Sequence, residues 1–267
     1  MRFFVYGGLM KQMGLSQYMQ GAVYKGPAFI FADLYFLGQF PGIKPGQNKV
    51  FGEIYDIDEK MIPAIDEVEE FFADDFEKSV YVRKKLKAYQ LSDGQEIDAC
   101  VYCYNREPGN NPKIEHGDYR RFIQEQKEND NWIIAYGSNL SSKRITERVG
   151  SIKENRKGFL NGFKQVFNVK TSLNGFAYAN IQFADDESKC PAVVWKLNTE
   201  QVNKLDQFEN VPELYHRISM PFYDENGNIL IAQAYMANIN KLSENLHPEP
   251  EYLKHIIKGL EEHNFNK

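Results

Sequence analysis

An apolar run that ends in Tyr-Gly occurs twice in this chain, and the two tyrosines, Tyr6 and Tyr136, are 130 residues apart. The first run is Phe3-Phe4-Val5-Tyr6-Gly7-Gly8-Leu9; the second is Trp132-Ile133-Ile134-Ala135-Tyr136-Gly137-Ser138-Asn139-Leu140. Other markers keep step with them. Asp66 and Asp206, like Glu69 and Glu209, are 140 apart; Tyr81 and Tyr215, like Arg83 and Arg217, are 134 apart; Gly94 and Gly227, like Tyr119 and Tyr252, are 133 apart. Offsets that drift by so few residues over half a chain indicate a duplicated domain with loop insertions, not a short-period solenoid. The 267 residues suit two domains of ordinary size. The boundary is expected near Asn129–Asn131, giving domains 1–129 and 130–267.

Each copy mixes strands with short helices, an α+β pattern. Ala28–Leu37, Val50–Asp56 and Tyr81–Leu91 read as strands, as do Glu96–Tyr104 and, in the second half, Gly158–Phe167, Ala177–Phe183 and Ala192–Leu197. Phe40-Pro41-Gly42-Ile43 and Pro45-Gly46 read as turn material. Asp93-Gly94 and Asn226-Gly227 mark hairpins. Helices are expected up to about Phe71 or Phe72, near Lys143–Val149, over Thr199–Glu209 with Thr199 as the cap, and over Pro250–His263.

The net charge of -5 gives no reason to expect a nucleic-acid or anionic-membrane partner. No apolar run is long enough to span a bilayer, and the N-terminus lacks signal-peptide features. Three cysteines fit a reducing cytoplasm. Cys100 and Cys103 fall on one strand, where positions three apart face opposite sides, so neither a metal nor a disulfide is expected there.

Two features carry chemistry. Each Tyr-Gly stretch ends a strand and leaves backbone N–H groups free for a small anion. Each Asp-x-x-Glu closes a helical stretch. With about 100° per residue, Glu209 projects between Val202 and Leu205, and Glu69 between Ile62 and Ile65, whereas Glu70 points elsewhere. A carboxylate on an apolar face has a raised pKa unless paired, which suits a general base or acid near neutrality. The structural alternative for Glu209 is a salt bridge to Arg217 or a capping role.

Tyr136-Gly137-Ser138-Asn139-Leu140, Leu205-Asp206-Gln207-Phe208-Glu209, Tyr215-His216-Arg217 and Pro248-x-Pro250-x-Tyr252-Leu253 resemble motifs of the gamma-glutamylcyclotransferase family. Tyr6-Gly7-Gly8-Leu9, Phe40-Pro41-Gly42-Ile43, Val50-Phe51-Gly52-Glu53, Asp66-x-x-Glu69 and Tyr81-Val82-Arg83 resemble its gamma-glutamylamine branch. The resemblance implies two tandem mixed β-barrel domains with short helices and release of 5-oxoproline from gamma-glutamyl compounds without metal or cofactor. It implies Glu209 and Glu69 as general acid/base residues. Tyr136, Gly137, Ser138, Asn139, Leu140, Ser141, Tyr6, Gly7, Gly8 and Leu9 would be the substrate loops, and Tyr215 and Tyr235, with Tyr81 and Tyr102, would line the pockets. The implied partner is a small gamma-glutamyl molecule, and a monomer of two packed domains is expected. The first copy departs further from the pattern, with Gly8 in place of Ser-Asn and 12 residues from Glu69 to Tyr81 against 6 from Glu209 to Tyr215. Family members carry Gly after the acid, where this chain has Glu70 and Asn210. One competing reading is a non-catalytic gamma-glutamyl-binding module, with the first copy as its candidate; another is a structural or interaction protein with both acids buried and paired.

Overall fold

The computed structural model describes residues 1–173, 175–185 and 187–265. Contacts divide the chain into two compact units, Met1–Phe122 and Ile123–Lys267. The first contains β1 (Arg2–Val5), β2 (Val23–Phe36), β3 (Pro41–Asp56), helix α1 (Ile62–Val68), β4 (Tyr81–Gln90) and β5 (Glu96–Tyr104). Helix α2 (Tyr119–Lys127) carries the chain onward. The second unit contains β6 (Asp130–Ala135), α3 (Ser142–Val149), β7 (Asn155–Asn161), β8 (Phe163–Lys170), β9 (Phe176–Phe183), β10 (Lys189–Asn198), α4 (Thr199–Phe208), β11 (Tyr215–Asp224), β12 (Ile229–Ala237), β13 (His247–Pro248) and α5 (Pro250–Glu262).

Both units close the same barrel. In the first the order is β1-β3-β2-β4-β5, with β1 parallel to β5 through Phe3 and Cys100 and antiparallel to β3 from Arg2 opposite Asp56 to Val5 opposite Glu53. In the second, β6 takes the place of β1. It is antiparallel to β10, with Ala135 opposite Val193, and parallel to β12, with Ile133 opposite Gln233. Closure leaves no barrel edge and faces apolar side chains inward. Phe3, Val5, Ile65, Tyr81 and Tyr102 belong to one buried cluster of the first unit.

Several sequence expectations change. Pro41-Gly42 and Pro45-Gly46 lie inside β3, and the reversal occurs earlier, where the Leu37 N–H bonds the Phe40 carbonyl at 2.9 Å. The ladder tolerates Pro45-Gly46 because β2 has a register shift opposite, between Phe31 and Asp33. A Cβ on Gly46 would lie 2.3 Å from Cγ of Asp33. The single strand expected over Gly158–Phe167 is broken at Gly162, whose φ is +87°; β7 stays in the barrel while β8 and β9 form a separate three-stranded sheet with β13. Thr199 is the first helical residue of α4, and its cap is Asn198. The Asn198 side chain accepts from the Gln201 N–H at 2.9 Å and the Gln201 side chain accepts from the Asn198 N–H at 3.1 Å.

Candidate functional site

Neither acid lies within a helix. Glu69 and Glu209 are the C-cap residues of α1 and α4, with φ, ψ of -87°, 4° and -84°, 0°. Glu69, which as a cap residue continues nearly in helical register, is half-buried, whereas Glu70 is exposed, although both line the same cavity. The next residues, Glu70 and Asn210, have φ of +48° and +50°. One residue further, the Phe71 N–H bonds the Asp66 carbonyl at 2.9 Å and the Val211 N–H bonds the Asp206 carbonyl at 3.0 Å. Each helix therefore ends in a Schellman motif, whose left-handed residue accounts for a glycine preference at that position.

The aspartates of the repeated Asp-x-x-Glu anchor these helix ends. Asp66 accepts from Arg83 at 2.7 and 2.9 Å and from the Tyr102 hydroxyl at 2.5 Å. Asp206 accepts from Nε of Arg217 at 2.9 and 3.2 Å and from the Tyr235 hydroxyl at 2.7 Å. The salt bridge considered for Glu209 and Arg217 is thus not formed; Arg217 pairs with Asp206 and, at 3.3 Å, with Glu125. Charge-assisted bonds of this kind fix the helix terminus, and with it the acid three residues on.

The tyrosines form a second repeated scaffold. The Tyr6 hydroxyl donates to the Tyr102 carbonyl at 2.7 Å, and Tyr136 donates to the Tyr235 carbonyl. The Tyr81 hydroxyl donates to the Pro41 carbonyl and that of Tyr215 to the Ala179 carbonyl, both at 2.7 Å. Burial raises the pKa of all four, so they remain neutral donors.

A cavity of about 360 Å³ opens in the first unit. Tyr6, Gly7, Gly8, Leu9, Glu69, Tyr81 and Tyr102 all line it, together with apolar side chains such as Met13, Leu15 and Phe40. Among the described residues, the backbone N–H groups of Gly7, Gly8 and Leu9 have no protein acceptor, and the Glu69 carboxylate has no hydrogen-bond or ion-pair partner. Glu69 retains some exposure toward the cavity, but the protein packed around it excludes enough water to raise its carboxyl from 4.5 to about 7. Gly7 is required by close packing, since a Cβ there would meet Cγ of Pro41 at 2.7 Å.

The second unit gathers Tyr136, Gly137, Ser138, Asn139, Glu209, Tyr215 and Tyr235 around a cavity of only about 30 Å³. Here Glu209 accepts from Arg148 at 2.7 Å and from the Asn139 amide at 2.9 Å, while Arg148 also donates to Oδ1 of Asn139 at 2.9 Å. Leu140 and Ser141 do not line this cavity. Leu140 is buried against Gly259 of α5, and the Ser141 hydroxyl caps α3 by accepting from the Arg144 N–H at 3.4 Å. The acid thus has an unpaired setting in the first unit and an ion-paired one in the second. The first copy departs further from the family motifs yet has the larger cavity.

Three site residues escaped the sequence reading. Tyr119 lines the first cavity and donates to the Gln39 carbonyl at 2.9 Å; Tyr252 lines the second and accepts from the Ala179 N–H at 3.1 Å. Their shared offset was visible, but their placement at the pockets was not. Arg148 gave no local signal, because Glu209 is 61 residues away. Among the described residues, no His, Cys, Asp and Glu cluster could hold a metal, and no helix is long and apolar enough to cross a membrane.

A family model described as gamma-glutamyl cyclotransferase, AIG2-like, matches residues 3–121, and one described as AIG2-like family matches residues 191–266. The chain is 33% identical over 120 residues to the gamma-glutamylcyclotransferase family protein YtfP of Escherichia coli K12, covering 45% of this chain and 96% of that protein. It is 31% identical over 134 residues to a human gamma-glutamylcyclotransferase, covering 48% of this chain and 69% of that protein. The crystal structure of YkqA from Bacillus subtilis aligns over 97% of this chain and 91% of its own, with a TM-score of 0.77 at 18% identity, so the two share the tandem fold.

Proposed function

Because this chain belongs to the gamma-glutamylcyclotransferase family, we propose that its first domain releases 5-oxoproline and a free amine from gamma-glutamyl compounds, with Glu69 as general acid/base. The observation that carries this reading is the unpaired Glu69 carboxyl, raised to about 7, in a cavity of about 360 Å³ beside the Tyr6-Gly7-Gly8-Leu9 loop. A gamma-glutamyl group carries its own nucleophile. Its alpha-amine attacks the gamma-carbonyl carbon, the new C–N bond closes a five-membered lactam, and the old C–N bond breaks. Glu69 takes the proton lost by the attacking nitrogen and returns it to the departing nitrogen. The N–H groups of Gly7, Gly8 and Leu9 hold either the alpha-carboxylate or the developing oxyanion. Holding the chain bent for attack supplies a proximity advantage that reaches several kcal/mol when well oriented.

The second domain supports a different reading. The Glu209 carboxylate is already engaged by Arg148 and Asn139, and about 30 Å³ admits no gamma-glutamyl group. In this conformation the domain fits a non-catalytic module. The cytoplasm, with its supply of gamma-glutamyl metabolites, is the matching compartment.

The test is 5-oxoproline release from gamma-glutamyl dipeptides, glutathione and gamma-glutamyl-epsilon-lysine, comparing wild type with Glu69→Gln, Glu209→Gln and the double variant. Release is expected to vanish with Glu69→Gln and to persist with Glu209→Gln. Loss with Glu209→Gln alone would overturn the assignment to the first domain.

A further inference from the structure

The ion pair in the second unit is built in a way that one partner of opposite charge does not explain. Arg144 and Arg148 lie four residues apart on α3, hence on one face of that helix. Arg148 is held by Glu209 and Asn139. Nε of Arg144 is buried and has no hydrogen-bond partner. A buried guanidinium N–H without an acceptor is costly, so an acceptor brought to it is favourable.

The surroundings are short of negative charge. The groups that act on Arg144 are Arg148, Tyr252, Glu147 and Glu209; burial and then Arg148 hold its guanidinium below the ordinary value. His255 on α5 is likewise lowered, first by burial and then by Arg144, with Glu147, Arg148 and Glu251 also acting on it. Glu147 is exposed and is engaged by Lys143 at 3.7 Å, and Glu251 is exposed and engaged by Lys254 at 2.5 Å. Glu209 is ion-paired with Arg148 and acts on Arg144 only through its charge. In the same position the Arg148 guanidinium also lies 5.2 Å from the ring centre of the exposed Phe208.

We propose that Arg148 is a latch on the second domain's acid, and that a small carboxylate ligand captured by Arg144 and Arg148 together draws Arg148 away from Glu209 and opens the pocket. Such a ligand supplies the acceptor that Arg144 lacks. Arg148 thereby exchanges one carboxylate for another, and Glu209, released from Arg148, keeps the Asn139 amide as a donor. The freed Glu209 then faces the N–H groups of Gly137, Ser138 and Asn139, which have no protein acceptor among the described residues. The second domain is thereby made responsive to anionic ligands, whereas among the described residues Glu69 of the first domain has no arginine partner to release.

The test uses the full chain labelled with ¹⁵N at arginine, and glutarate as the probe. The Nε–H signals of Arg144 and Arg148 are followed in titrations with glutarate, with its neutral diamide, and with inorganic phosphate. Both signals are expected to move with one midpoint for glutarate and to stay still for the diamide. Arg144→Gln is expected to raise the midpoint by about tenfold, the loss of one charge-assisted hydrogen bond. In Arg148→Lys, which keeps the charge should Arg148→Met fail to fold, the Arg144 signal is still expected to respond, with a weaker midpoint. Stationary arginine signals, equal response to the diamide, or an unchanged midpoint in Arg144→Gln would overturn the proposal. A phosphate midpoint equal to that of glutarate would overturn the assignment to a carboxylate. None of these readouts depends on turnover, so their failure is separable from failure of Glu69 as the catalytic acid/base.

Discussion

Replacing Glu69 by glutamine is expected to stabilise the first domain at alkaline pH while abolishing its chemistry. The carboxyl moves from an ordinary 4.5 to about 7, and the cause is exclusion of water around it. A raised folded-state value means that the folded protein binds the proton more tightly than the unfolded chain, so folding stability falls as pH rises from about 4.5 through about 7. Integrated over that window, the charged Glu69 costs roughly 1 kcal/mol at pH 5 and roughly 3 kcal/mol at pH 8.5, less some relief from its partial exposure. Glutamine keeps the shape and carries no charge, so Glu69→Gln should gain about 2 kcal/mol over wild type between those two pH values.

Both tryptophans, Trp132 and Trp195, lie in the second unit, so their fluorescence follows that unit alone. Urea unfolding by circular dichroism contains the first unit as well, and the part not shared with fluorescence reports it. The expected shift in midpoint at pH 8.5 is about 1 M urea. A stability difference between Glu69→Gln and wild type that is the same at pH 5 and pH 8.5 would refute burial of an unpaired carboxylate as the source of the shift.

Four further outcomes follow from the same geometry. 5-Oxoproline release by the first domain should rise with pH through about 7, as Glu69 ionises to become a base, and a flat profile between pH 6 and 8 would oppose that role. Tyr102→Phe removes the hydroxyl bonded to Asp66 at 2.5 Å and should cost about 1–3 kcal/mol of first-domain stability in urea titration. Glu70→Gly relieves a side chain held at φ +48° and should stabilise by up to about 1 kcal/mol in the same assay, more than Asn210→Gly, because asparagine tolerates this region better. Finally, Glu53 and Arg120 form a buried ion pair in which Nε and Nη1 of Arg120 have no partner, whereas the repeat places Val193 and Leu253 at the corresponding positions. Either single apolar substitution should cost about 3–5 kcal/mol by thermal or urea unfolding, and the double variant Glu53→Val with Arg120→Leu should recover most of it.

What the sequence by itself determined is what repetition and short-range chemistry encode. The offsets of Tyr6, Glu69, Tyr81 and Tyr119 against Tyr136, Glu209, Tyr215 and Tyr252 established a duplication, because an ancestral domain copies its spacing along with its fold. That Glu69 is more buried than Glu70 was legible because helical register at the cap turns one of two neighbouring residues toward the apolar face, although both line the cavity. Hairpins at Asp93-Gly94 and Asn226-Gly227 were legible because the turn chemistry is local.

The protonation environment of each acid was decided by tertiary structure. Glu69 lies free in a cavity and Glu209 lies under Arg148, yet the two sit in nearly the same local sequence at the same helix end. Asp66 and Asp206, rather than the catalytic candidates, take the arginines that follow in sequence, since only the folded barrel brings Arg83 and Arg217 beneath the helix termini. Burial and pairing are set by residues tens of positions apart, and no pattern along the chain reports that distance. Residues of the repeated motifs line both cavities, and packing decides their volumes.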